Sequence, residues 1–114
     1  MAVLGAILGD ISGSQYEFQR CRPSAGIDWQ KCKLFTERCV FTDDTVLTLA
    51  VKQALMTSRE FPDVFREFAD RYQYVGYGTR FHQWLLSGEN APMNSCGNGS
   101  AMRVSYIAER YANL

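Results

Sequence analysis

The chain has 114 residues, 46% of them apolar and 21% charged, with twelve basic side chains balancing twelve acidic ones. That length holds one domain at most, with one modest core. The even charge balance, with no cluster of Lys or Arg, excludes an electrostatic footprint for nucleic acid or an anionic membrane surface.

The opening MAVLGAILGDISGS has no basic n-region, and Asp10 interrupts its apolar run. It does not read as a signal peptide, and no segment reaches the ~20 apolar residues that span a bilayer. The four cysteines, Cys21, Cys32, Cys39 and Cys96, form no C-x-x-C pair and stand near no histidine ladder. Zinc is therefore disfavoured, and free thiols in a reducing, cytoplasmic setting are the expectation, with a single disulfide between two of them left open.

Helical periodicity runs through most of the chain. Ala2, Val3, Ala6, Ile7 and Ile11 make one stripe with Leu4 and Leu8 beside it, which predicts a short first helix buried on most sides. From Ser14 to about Cys39 the pattern dissolves around Pro23 and Gly26, so a long loop is expected there. Loops beyond ~12–15 residues are uncommon in compact domains and often functional. Periodicity resumes at Val46, Leu47, Ala50, Val51, Ala54 and Leu55, and again at Phe61, Val64, Phe65, Phe68, Ala69 and Tyr72. Pro62 suits the first turn of that second helix, where its missing N–H costs nothing. TRFHQWLLSGE predicts a shorter helix closed by Gly88. A last helix is expected over Ala101, Met102, Val104, Ile107, Ala108 and Tyr111, with no stop signal before Leu114. The only strand candidate is CVF, before Thr42, so the predicted class is all-α.

Three stretches carry chemistry. In TDDT, Thr42 reads as an N-cap, and Asp43 and Asp44 would each gain ~0.3–1 kcal/mol from the helix dipole. One acid would satisfy the cap. Two carboxylates at ~5 Å repel by about 1 kcal/mol in water and roughly 3 at an effective dielectric near 20. A hard divalent cation, which takes oxygen ligands, removes that penalty. At a non-helical cap the three residues can converge on one point, so the doubled acid reads better as a metal platform. GDISGSQYEF places Gly9 and Gly13 at the spacing of tight helix packing and adds two acids, Asp10 and Glu17. NSCGNGSAMRV sets Gly97, Asn98 and Gly99, which can take left-handed conformations, just before a helix. That arrangement makes either an anion cradle or a plain capped turn. Arg103 could reach a phosphate, but a solvated salt bridge is the favoured expectation; the aromatics of VGYGTRFHQWL are expected in the core, and the lone His82 away from any chemistry.

Taken in order, GAILGDISGSQYEF, FTDDTVLTLA, YGTRFHQWL and GNGSAMRVS resemble the ADP-ribosylglycohydrolase family from Val3 to about Ile107. The resemblance implies an all-α helical bundle with two Mg²⁺ (sometimes Mn²⁺) ions in a central cleft. It implies hydrolysis of the bond joining ADP-ribose to a protein side chain or a small acceptor. Thr42, Asp43, Asp44 and Glu17 would be metal ligands, with Glu17, Asp43 and Asp44 also in the catalytic group, and Gly97, Asn98, Gly99 and Ser100 would line the ADP-ribose site. The family's D-x-D-[ST] motif, which supplies further ligands, has no counterpart among the six aspartates here. The chain is therefore expected to be a single partial domain over 1–114, an N-terminal portion of the fold. It is expected to be impaired alone; the alternatives are one half of a split enzyme, completed by a second chain or self-association, and a non-catalytic helical module.

Overall fold

A computed structural model describes residues 1–17 and 28–112. The element order is α1 (Ala2–Glu17), a 3₁₀ turn (Trp29–Lys31), α2 (Asp43–Thr57), α3 (Phe61–Arg71), α4 (Thr79–Ser87), α5 (Gly99–Met102) and α6 (Ser105–Tyr111). Among the described residues there is no strand, so the class is all-α as expected and CVF is extended chain. None of these helices is long and apolar enough to cross a membrane.

Helix α2 is the centre, packed against α1, α3, α5 and α6. Thr45, Val46, Leu47, Thr48, Ala50, Val51 and Ala54 are all buried, so it is enclosed on most of its surface. The small side chains Ala50 and Ala54 let α3 approach closely through Val64, with Phe65 and Phe68 closing over them. A second cluster joins Leu47, Ala69 and Phe81, covered by Phe65, Tyr77, Trp84 and Met102 among others. Here the aromatics of α4 are core, as expected: Phe81 stands 5.3 Å from the Tyr77 ring and 5.5 Å from Trp84. His82 is exposed on the same helix.

The helix ends follow ordinary capping chemistry. Ser58 closes α2 in a left-handed conformation at φ 52°, and Gly88 closes α4 at φ 70°, where a side chain would be strained. Pro62 stands in the first turn of α3, as its missing N–H predicts.

Two expectations about the ends of the chain are corrected. The first helix is neither short nor buried on most sides: it continues to Glu17, and only Val3, Ser14 and Gln15 are buried. Among the described residues a Cβ built on Gly9 or Gly13 meets nothing within 4 Å, so the glycine spacing serves no tight packing among them. The polar end of α1 instead stitches the following segment in place. Ser14 Oγ accepts from Val40 N–H at 3.0 Å. Gln15 donates to the carbonyls of Lys33 (3.0 Å) and Leu34 (3.2 Å) and accepts from Thr36 Oγ1 (2.8 Å). The expected long loop therefore begins later than Ser14, and its described part is tied down. The expected single last helix is two, α5 and α6, broken at Arg103 and Val104, whose ψ values of 5° and −1° turn the chain. Cys32, Cys39 and Cys96 are free, and Cys21 lies outside the described residues.

Candidate functional site

The first turn of α2 shows what the paired acids do not do. A helix start leaves its first N–H groups without intrahelical partners. Here Asp43 N–H donates to the Val75 carbonyl at 3.0 Å and Asp44 N–H to Thr42 Oγ1 at 3.2 Å. Thr45 N–H donates to Asp10 Oδ2 at 3.2 Å. Thr42 is the N-cap, at φ −120° and ψ −170°, as its position predicts. All three orphan donors are satisfied without either the Asp43 or the Asp44 carboxylate. Capping does not account for the acids.

Their electrostatics show a crowded site. Burial pushes the Asp43 carboxyl up to about 6, Asp44 adds to this, the residue's own N–H lowers it, and Glu17 and Asp10 raise it further. Asp44 is also raised, by burial and then by Asp10, with Arg103 pulling the other way. Glu17, exposed at the end of α1, is raised by partial burial and by the charges of Asp44 and Asp10. Glu17, Asp43 and Asp44 thus feel one another across the junction of α1 and α2, and none of them forms an ion pair among the described residues. Thr42 lies beneath them, 1% exposed.

Glu17, Asp43 and Asp44 line a cleft of 880 Å³ together with Gly97, Asn98, Gly99 and Ser100, so residues some 80 positions apart in sequence share one cavity. Leu47, Phe65, Phe81 and Met102 supply its apolar wall. Among the described residues, the N–H groups of Asn98, Gly99 and Ser100 have no acceptor, while Gly97 N–H donates to Ser95 Oγ at 3.1 Å. These three donors stand at the mouth of the cleft, on the same side as Arg103.

The reason for the glycines differs from the expected one. Neither Gly97 nor Gly99 takes a positive φ, and Asn98 sits at φ −86°; the left-handed residue of this stretch is Asn94, at φ 46°. Helix α5 has four residues, too few for a substantial dipole. Gly99 is set by its neighbour: a Cβ there would meet the tip of the Arg103 side chain, which would have to move off its present position. Nor does Arg103 lie in a solvated salt bridge. Its Nε donates to the Gly99 carbonyl, and its guanidinium lies over the rings of Phe65 (5.2 Å) and Phe81 (5.9 Å). Burial lowers its pKa and the fields of Asp43 and Asp44 raise it, placing its charge opposite the acids.

This packing predicts a coupling. Gly99→Ala and Arg103→Ala should each cost about 1–2 kcal/mol, the first by overpacking and the second by losing the stacked guanidinium. The double variant should cost less than the sum, because the added methyl enters the space the guanidinium vacates. Strict additivity in urea denaturation would contradict the contact.

The oxygen donors of Thr42, Asp43, Asp44 and Glu17 suit a hard divalent cation by type. By number they fall short: among the described residues no group of three or more His, Cys, Asp or Glu side chains is close enough to hold a metal ion. Asp10 and Arg103 stand beside the acids in the structure, though sequence reasoning left them out of its candidate site. The available signals were one acid in an apolar helix and a glycine four residues before an arginine.

The chain belongs to the ADP-ribosylglycohydrolase family, whose model matches residues 1–113. It is 31% identical over 142 residues to ADP-ribosylhydrolase ARH3 of Homo sapiens, an alignment covering 96% of this chain and 38% of that protein. It is 30% identical to ADP-ribosylhydrolase ARH3 of Gallus gallus, covering 96% of this chain and 39% of the relative. The chain thus spans about two fifths of the length of these relatives. No solved structure matches it.

Proposed function

We propose that this chain supplies one wall of a divalent-cation-dependent ADP-ribosyl hydrolase site. Thr42, Asp43, Asp44 and Glu17 would hold Mg²⁺ or Mn²⁺, and the free N–H groups of residues 98–100 would cradle the diphosphate of ADP-ribose. The observation that carries this reading is the first turn of α2. Its donors are capped by Thr42, Asp10 and Val75, which leaves two half-buried carboxylates with no structural task, facing a cleft that also holds the 97–100 loop.

Held by Thr42, Asp43, Asp44 and Glu17, such a cation would supply Lewis acidity for activating water. Glu17, accessible and with its carboxyl raised, is placed to take up or release a proton at that cleft. Leu47, Phe65 and Phe81 exclude water from the inner wall, which strengthens each charge–charge interaction inside. The substrate on this reading is an ADP-ribosylated protein or a small ADP-ribosyl compound, met in the cytoplasm.

With no complete ligand group among the described residues, the 114-residue chain alone should turn over slowly. A second reading, a half-site completed by another chain or by self-association, is favoured by the apolar side chains that α1 and α6 leave exposed. These include Leu4 and Leu8 on α1 and Ile107 and Tyr111 on α6. The test is ADP-ribose release from a modified peptide by purified chain in Mg²⁺, with and without a polypeptide carrying the D-x-D-[ST] motif. Release should appear only with both present. Turnover approaching ~1 s⁻¹ by the chain alone would contradict the half-site reading.

A further inference from the structure

Residues 89–95, which lead from α4 towards the 97–100 loop, have neither helix nor strand to hold them. Among the described residues they make no backbone–backbone hydrogen bond. The shape of such a segment is set by whatever side chains reach its backbone groups. Three side chains of α3 and α4 do so. Arg66 Nη2 donates to the Glu89 carbonyl at 2.6 Å, and its Nη1 to Asn90 Oδ1 at 2.8 Å. Trp84 Nε1 donates to the Ala91 carbonyl at 3.1 Å, and Arg80 Nη1 to the Asn94 carbonyl at 2.9 Å. Asn94 stands at φ 46°, a left-handed conformation that Asn tolerates better than most residues.

Arg66 does most of this holding. It is half-buried and forms no ion pair among the described residues, and its guanidinium lies 4.2 Å over the Trp84 ring. The stack steadies Trp84, whose indole N–H meets Ala91, so three of the four bonds depend on one guanidinium. Packing gives the segment little support: a hollow of 180 Å³, walled by Phe61, Phe65, Phe81 and Trp84, lies against residues 90–93. The same segment forms a wall of the large cleft through Pro92, Met93, Asn94 and Ser95, whereas Arg66 and Trp84 do not line that cleft.

We infer that Arg66 is a positioning residue for the ligand cleft: with Trp84 it holds residues 89–91, so that 92–95 stand in place as the cleft wall. The inference rests on the ADP-ribose reading above and uses no metal. Lysine replaces Arg66 only in part, because an ammonium lacks the planar fork that stacks on a ring while making two bonds at once.

The experiment is a calorimetric titration of the full chain with ADP-ribose, beside hydrogen exchange of the Trp84 indole N–H by NMR and a thermal melt of each variant. In Arg66→Ala the indole proton should exchange at least tenfold faster and ADP-ribose should bind about tenfold more weakly, with Arg66→Lys between it and the parent. Glu67→Gln, which loosens the neighbouring pairs with Arg59 and Arg71, should leave both readings within twofold. An Arg66→Ala chain that exchanges like the parent would overturn the anchoring. Faster exchange with unchanged affinity would overturn the positioning role and leave the ADP-ribose reading standing. A Glu67→Gln chain whose affinity falls in step with its melting temperature would also overturn it, showing the effect to be lost stability. No ADP-ribose binding by the parent chain would overturn both the inference and the reading beneath it.

Discussion

Replacing Asp43 and Asp44 together by asparagine is expected to raise the melting temperature of the cation-free chain at pH 7.5 and to abolish its response to Mg²⁺. The Asp43 carboxyl stands at about 6, above its unfolded value, and Asp44 and Glu17 are displaced in the same direction. A raised carboxyl pKa means the folded chain holds a proton that the unfolded chain has released. Stability attributable to Asp43 is therefore full below its unfolded pKa, falls as pH rises from about 4 to about 6, and stays low above that. A shift of that size is at most ~3 kcal/mol, and solvent screening of a half-buried group brings it to about 1–2 kcal/mol.

Asparagine keeps the shape and removes the charge. The dipole attraction lost, ~0.3–1 kcal/mol per acid at a helix start, offsets part of what relieving both raised carboxyls returns. The caps survive, because they are made by Thr42, Asp10 and Val75. What is left of the gain should appear as a small rise, about 4 °C or less. In the parent chain, Mg²⁺ should raise the melting temperature at pH 7.5 and do less at pH 5, where a proton occupies the Asp43 carboxyl. A double variant that melts lower than the parent, or still responds to Mg²⁺, would show the acids to be structural.

Leu47→Ala is expected to cost about 3–4 kcal/mol. Leu47 is 1% exposed and lies one turn beyond the paired acids, where it joins Ala69 and Phe81 under Phe65, Tyr77 and Trp84. It is both the core of the bundle and the floor of the cleft. Out of a total of roughly 5–15 kcal/mol, such a loss leaves the chain close to unfolding at 37 °C. Leu49 of the same helix, 36% exposed, provides the contrast: its alanine variant should cost about 1 kcal/mol or less. Equal costs in urea denaturation would contradict the packing described for α2.

The central helices were legible because their signals are local. Periodic apolar residues, Thr42 as a cap, Pro62 in a first turn and Gly88 at a C-terminus all act within four residues, and α2, α3 and α4 follow them. The failures share the opposite property. The run of α1 to Glu17 and its tie to residues 33–42 depend on Ser14 and Gln15 bonding to chain some 18 to 26 residues away. No glycine or proline marks the break between α5 and α6, where Arg103 turns back onto Gly99. Gly99 itself was read as able to take a left-handed conformation, whereas it leaves space for a guanidinium four residues on. In the site, the crowding of Asp43 and Asp44 was visible in TDDT. That Asp10 takes over part of the capping, and so leaves those acids free, required α1 and α2 to be seen together.

The account stands on Glu17, Thr42, Asp43 and Asp44 forming one cation-binding locus. Paramagnetic broadening of backbone amide resonances by substoichiometric Mn²⁺ tests this directly. The signals of these four residues should fade first and those of residues 97–100 next, with α3 and its Glu67 unaffected. Broadening centred on Glu67 or Glu109, or uniform across the chain, would contradict it.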